Sequence, residues 1–165
     1  MRIAVCDDDE TAVSFLRELI ETYPKQKLCA DGYSSGEDLL RSGHVYDLIF
    51  LDIHMKYQDG MTTAKRIREV DADAQIVFIT ALAQYAIEGY KVNALDFILK
   101  PVVYEQLAMT MDKVLAVTSK YHKEKQLLGN ENARYLPRIF YILRLWAMIC
   151  SSTQKIRCIQ NTESL

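Results

Sequence analysis

With 165 residues, half of them hydrophobic and a quarter charged, the chain has room for one ordinary domain and a short appendage. Cys6, Cys29, Cys150 and Cys158 lack metal-ligand spacing, which argues for reduced thiols in a cytosolic protein rather than a zinc module or disulfide scaffold. The net charge of −2 hides an asymmetry: residues 1–118 hold 12 Lys+Arg against 19 Asp+Glu (−7), and residues 119–165 hold 8 against 3 (+5). The basic second part is compatible with a nucleic-acid partner and equally with an ordinary solvated tail.

The first 118 residues alternate short apolar runs with helical periods. Ile3-Ala4-Val5-Cys6 predicts a strand that starts directly after Arg2, with no apolar leader before it. Glu10 to Thr22 carries Val13, Leu16, Leu19 and Ile20 on one helical face, closed by Tyr23-Pro24. A weaker strand around Lys27 to Tyr33 leads to a short helix, Gly36 to Arg41, that buries Leu39 and Leu40. Leu48-Ile49-Phe50-Leu51 predicts the third strand; Asp59-Gly60 then turns the chain into a helix from Met61 to Val70. Ile76-Val77-Phe78-Ile79 is the fourth strand, followed by a predicted helix over Tyr85 to Val92. Phe97-Ile98-Leu99 is the fifth, and a last helix carries Leu107, Met111, Val114 and Leu115. Five βα units of this kind make a doubly wound α/β domain with a parallel sheet covered on both faces.

Asp7, Asp8, Asp52, Thr80 and Lys100 each stand where one of these strands ends. Ligands of such sheets bind beyond the carboxyl ends of the strands, so the five side chains are expected in one crevice. Three carboxylates there suit a hard divalent cation such as Mg²⁺. Asp52 can also act as a nucleophile toward phosphorus, forming an acyl phosphate. Lys100 and Thr80 then serve as charge and hydrogen-bond contacts to the phosphoryl oxygens. Singly, each residue has a plainer explanation: a helix cap for Asp7 to Glu10, a polar strand end, a turn at Lys100-Pro101. Their coincidence at one sheet edge does not. His44, His54 and His122 read as surface histidines.

Residues 2–118, about seven tenths of the chain, resemble a response-regulator receiver domain of two-component signalling. The resemblance rests on Ile3-Ala4-Val5-Cys6-Asp7-Asp8, Asp47-Leu48-Ile49-Phe50-Leu51-Asp52, Phe78-Ile79-Thr80-Ala81 and Ile98-Leu99-Lys100-Pro101. It implies a flavodoxin-like sheet of order 2-1-3-4-5, Asp52 as phosphoacceptor, and Mg²⁺ held by Asp7, Asp8, Asp52 and the backbone carbonyl of His54. It further implies Thr80 and Lys100 as phosphoryl contacts, a cis peptide at Lys100-Pro101, and Thr80 with Phe97 as the switch pair. The implied partners are a sensor histidine kinase and a second copy docking through the predicted 85–92 helix, the fifth strand and the last helix, a face expected to include Tyr90 and Val92. The implied location is the cytoplasm, with no membrane contact. The loop Met55-Lys56-Tyr57-Gln58-Asp59-Gly60 lacks the proline that many relatives place after the methionine. Two competing readings are a Mg²⁺-dependent aspartyl-phosphate phosphatase and an interaction module that works without phosphorylation. The first usually needs an aspartate where His54 stands; the second has no use for the acidic set.

Asp59-Gly60-Met61-Thr62-Thr63-Ala64 and Tyr85 to Phe97 are similar to receivers that precede LytTR-type DNA-binding domains. Residues 119–134 read as a helix extension grading into a linker. Residues 135–165 form a short irregular tail, expected to be a remnant of such an output domain. Arg134-Tyr135-Leu136-Pro137 and Ile139-Phe140-Tyr141-Ile142 resemble its beginning, after which the pattern dissolves. Reading codons one nucleotide earlier from about Leu143 permits E-V-M-G-H-D-L-L-F-H-T-K-D, a strand, turn and strand, which suggests a frameshift. Sequence-specific DNA binding is therefore not expected of this chain. The longest apolar stretch of the tail, Ile139 to Cys150, is interrupted by Arg144 and too short to span a bilayer.

Overall fold

The computed structural model describes residues 1–128, apart from 57, 82, 86–88, 90 and 91. Five strands, β1 (Ile3–Cys6), β2 (Ala30–Tyr33), β3 (Leu48–Leu51), β4 (Gln75–Thr80) and β5 (Asp96–Leu99), form one parallel sheet in the order β2-β1-β3-β4-β5. Helices α1 (Glu10–Glu21), α2 (Gly36–Arg41), α3 (Gly60–Val70) and α4 (Tyr104–Leu128) connect and follow them. The final helix thus runs ten residues past Thr118, into the segment read as a helix extension grading into a linker. The tail from residue 129 onward lies outside the described residues, as does most of the predicted 85–92 helix.

Alternation along the central strands builds two cores. Ile3, Val5, Leu48, Phe50, Val77 and Ile79 face α1 and α4, where Leu16, Ile20, Leu107 and Met111 meet them. Ala4, Cys6, Ile49, Leu51, Ile76 and Phe78 face the other way, against Leu39, Met61, Ala64 and Ile67. All residues of β1 and β3 are buried, which is why these strands read as unbroken apolar runs.

Val92 was expected on a partner surface, and this is corrected: it is 3% exposed and packed in the second core. Its carbonyl is held from α3. Arg68 Nε donates to Val92 O (2.7 Å), while the guanidinium also reaches the carbonyls of Asn93 (3.1 Å), Ala74 (2.6 Å) and Asp71 (3.3 Å). Tyr90, the other residue named for that surface, lies outside the described residues.

Burial holds the Cys6 thiol up at about 12, with the negative charge of Asp7 adding to the effect, while Cys29 is exposed. Because the thiolate is the reactive form, a short iodoacetamide pulse at pH 8 on the native protein is expected to alkylate Cys29 and spare Cys6. Peptide mapping checks this; equal labelling of the two would mean that β1 opens readily.

Candidate functional site

The strand register explains how the site forms. Cys6 pairs with Leu51 across β1 and β3, and the amide of Asp52 donates to the Cys6 carbonyl at 2.9 Å, so Asp7 and Asp52 leave neighbouring strands at the same level. On the other side, Thr80 pairs with Leu99, and the Lys100 amide donates to the Thr80 carbonyl at 2.9 Å. The five polar residues read from the strand ends therefore stand along one edge, and the Lys100-Pro101 peptide is cis.

The competing helix-cap reading of the acidic run is resolved by division of labour. Asp9 is the cap of α1: its side chain accepts from the Thr11 amide at 2.9 Å, and that bond holds its carboxyl below the usual range. Asp7 and Asp8 remain for the crevice. Their carboxylate oxygens and one from Asp52 lie within 4.8 Å of one another. Asp7 is 5% and Asp52 5% exposed, while Asp8 is half-buried near the rim.

Lys100 Nζ donates to Asp7 Oδ2 at 2.6 Å and to Asp52 Oδ2 at 3.2 Å. Burial works against the Lys100 charge, but its bond to Asp7 and the charges of Asp52 and Asp7 outweigh it and hold its pKa above the ordinary lysine value. The Asp52 carboxyl is pushed above the usual carboxylate range, chiefly by burial. Lys100 opposes that push, Asp7 reinforces it, and the backbone amide of His54, directed at the carboxylate, opposes it. Asp52 Oδ1 is buried and has no hydrogen-bond partner among the described residues. An unmatched buried oxygen is costly, and three carboxylates against Lys100 and the more exposed Lys56, whose Nζ lies 3.9 Å from Asp8 Oδ2, leave local negative charge. Such a donor set fits a hard divalent cation with oxygen ligands.

The β3–α3 loop rims the crevice. Asp59 caps α3, accepting from the Thr62 amide at 2.7 Å, and Gly60 opens the helix with its amide on the Ile53 carbonyl at 2.9 Å. A Cβ at Gly60 would collide with the Asp52 carbonyl, so this close approach requires glycine. The Lys56 amide donates to Asp8 Oδ2 at 3.3 Å, and the Cys6 thiol contacts Met55 Sδ at 3.6 Å. The His54 side chain is exposed and packs edge-on against Tyr85, ring centroids 5.5 Å apart. Thr80 is fully buried at the end of β4; Phe97 is half-buried against the second core. The Met55, Lys56 and Tyr85 contacts were not foreseen from the sequence, because loops carry no periodic signal.

Residues 3–112 match the response regulator receiver domain. The chain belongs to that family. Among curated proteins it is 34% identical over 131 residues to the transcriptional regulatory protein RprY of Bacteroides fragilis, covering 77% of this chain and 55% of that one. It is 32% identical over 114 residues to the sensory transduction protein LytT of Enterococcus faecalis, covering 68% and 47%. The chain thus spans about half the length of these relatives. Solved structures include the response regulatory domain of mrkE from Klebsiella pneumoniae (28% identity, TM-score 0.62, 74% of this chain and 99% of that one). Another is TrrA from Thermotoga maritima in complex with Mg²⁺-BeF (28% identity, TM-score 0.61, 68% and 97%). The match to receiver structures agrees with the observed strand order 2-1-3-4-5. Among the described residues, no helix is long and apolar enough to cross a membrane.

Proposed function

We propose that this chain is the phosphoacceptor switch of a two-component system, acting in the cytoplasm, with Asp52 as the acceptor. The observation that carries it is the unequal state of the two Asp52 oxygens: Oδ2 is held by Lys100, and Oδ1 is buried without a partner among the described residues. The phosphodonor is a phosphohistidine of a sensor kinase. Attack by Asp52 forms a P–O bond as the P–N bond breaks, and the imidazole leaves with the electron pair. Asp7, Asp8, Asp52 and the His54 carbonyl are the proposed ligands of Mg²⁺, which supplies charge neutralisation for the incoming phosphoryl oxygens. Lys100 adds its ammonium on the Asp7 side, and Thr80 donates its hydroxyl to a phosphoryl oxygen. No residue of the set is placed to activate water, and His54, which stands where phosphatases of this type carry an acid–base aspartate, is turned onto Tyr85.

Thr80 sits directly before the segment that ends in the Arg68-held carbonyls of Val92 and Asn93, and Phe97 follows it. A Thr80 drawn toward the phosphoryl group and a Phe97 turning into the vacated space form the proposed switch. The partner face is β5 with the segment before it and α4, where Leu99 is 43% exposed. By likeness to the transcriptional regulatory protein RprY, the parent protein is a transcriptional regulator, and residues 135–165 are the proposed remnant of its output domain. The nucleotide sequence around codon 142 tests that remnant: an uninterrupted frame with no continuation in the alternative one removes it.

The test of the switch is direct. With Mg²⁺ and a small phosphodonor such as acetyl phosphate, the protein is expected to gain the mass of one phosphoryl group, removable by hydroxylamine. With Mg²⁺ and beryllofluoride, the amide resonances of Thr80, Val92 and Phe97 are expected to shift. No mass gain sinks the acceptor role; unmoved resonances sink the coupling.

A further inference from the structure

Met55 stands at the junction of the β3–α3 loop and the second core. Its side chain is half-buried and packs on that core, and the Cys6 thiol donates to Met55 Sδ at 3.6 Å. Cys6 is the last residue of β1 and 1% exposed, so the contact ties the loop to the strand that leads into Asp7 and Asp8. The residues on either side of Met55 serve the acidic cluster. The His54 carbonyl is a proposed cation ligand, and the Lys56 amide donates to Asp8 Oδ2 at 3.3 Å.

A thioether is apolar and a weak acceptor, which suits it to a buried thiol. A hydroperoxide changes that. The sulfur lone pair attacks the O–O bond, an S–O bond forms, and the peroxide leaves as water or an alcohol; sulfur is oxidised and the peroxide reduced. The product is a sulfoxide, a polar group carrying one more oxygen. Sulfurs 3.6 Å apart leave no room for that oxygen between them, and a single thiol does not replace the water the sulfoxide would lose on burial. The oxidised side chain is therefore stable only in solvent, and on leaving the core it draws residues 54 and 56 with it. The other described methionines differ: Met61 and Met111 are 6% and 0% exposed, and Met109, 65% exposed on α4, is open to oxidation away from the crevice.

We propose that Met55 is an oxidation site for hydroperoxides, and that its sulfoxide releases the β3–α3 loop and weakens the hold of the acidic cluster on a divalent cation. The effect on the cation rests on the function proposed above; the displacement of the loop does not.

The test treats the full chain with hydrogen peroxide until Met109 is converted, then with dithiothreitol, which returns sulfenic acids and disulfides to thiols and leaves sulfoxides. Peptide mapping is expected to find one added oxygen on Met55. Mg²⁺ affinity is expected to fall about tenfold, as when a group supporting a metal ligand is lost. Cys6, spared by a short iodoacetamide pulse before oxidation, is expected to be alkylated after it. Methionine sulfoxide reductases A and B together are expected to reverse both changes. Met55→Leu conserves volume and is expected to keep its Mg²⁺ affinity and its protected Cys6 when Met109 is fully oxidised. An unmodified Met55 beside a converted Met109, a Cys6 still protected once Met55 is oxidised, or equal losses in the leucine variant would each overturn the proposal. Absence of Mg²⁺ binding before any oxidation would count against the cation site instead, and alkylation of Cys6 then decides the role of Met55 alone.

Discussion

Asp52→Asn is expected to take up no phosphoryl group under conditions where the natural protein gains one, since an amide is neither a nucleophile toward phosphorus nor a good ligand for a hard cation. Intact-mass measurement reads this as all or nothing; equal labelling of the variant would move the acceptor elsewhere. The same substitution carries a stability effect of defined sign. The folded-state pKa of Asp52 lies above its ordinary value of 3.8. Well below 3.8, the carboxyl is protonated in folded and unfolded chains alike and exacts no penalty. As pH rises through the raised folded value, the folded protein must ionise a buried group, and stability is lost. Without Mg²⁺, the Asp52→Asn variant is therefore expected to melt higher than the natural protein at pH 7, by roughly a few degrees. The gap closes as pH falls below 3.8. A gap that widens toward acid would mean that the Lys100 pair outweighs burial.

Asp8→Ala is expected to weaken Mg²⁺ binding by at least about tenfold, the loss typical even for residues that only support a ligand. Asp8 is half-buried and, among the described residues, its one backbone partner is the Lys56 amide, so the fold is expected to survive its removal. Relief of repulsion with Asp7 and Asp52 offsets the lost loop bond, and Mg²⁺-free stability stays equal or rises. Unchanged affinity in a Mg²⁺ titration would place the ion outside this cluster.

The sheet was legible because β1, β3 and all of β4 beyond Gln75 are buried between helices, and such burial leaves an apolar run in the sequence. Strand β2 was the weakest reading for the opposite reason. It is one of the sheet's two edges, Asp31 and Gly32 are exposed, and it starts at Ala30 rather than Lys27. Position along the chain was enough to gather Asp7, Asp52, Thr80 and Lys100, since parallel strands end together. It could not say that Lys100 sits closer to Asp7 than to Asp52, or that Asp9 alone would serve as cap; both follow from side-chain geometry. Arg68 was equally unreadable. A guanidinium that binds four carbonyls in two loops leaves no pattern in its own helix.

The central place of β1 has a consequence for how the chain acquires its structure. Ile3 pairs with Ala30 on one side and Leu48 on the other, so this segment has no partner until 27 further residues exist, and no second one until 45 do. Every pairing in the sheet is parallel and spans a crossover, which places folding among the slower, non-local topologies. During that interval Ile3-Ala4-Val5-Cys6 is an apolar ribbon with both edges open, and the acidic run that follows it, Asp7 to Glu10, keeps the nascent segment charged and soluble.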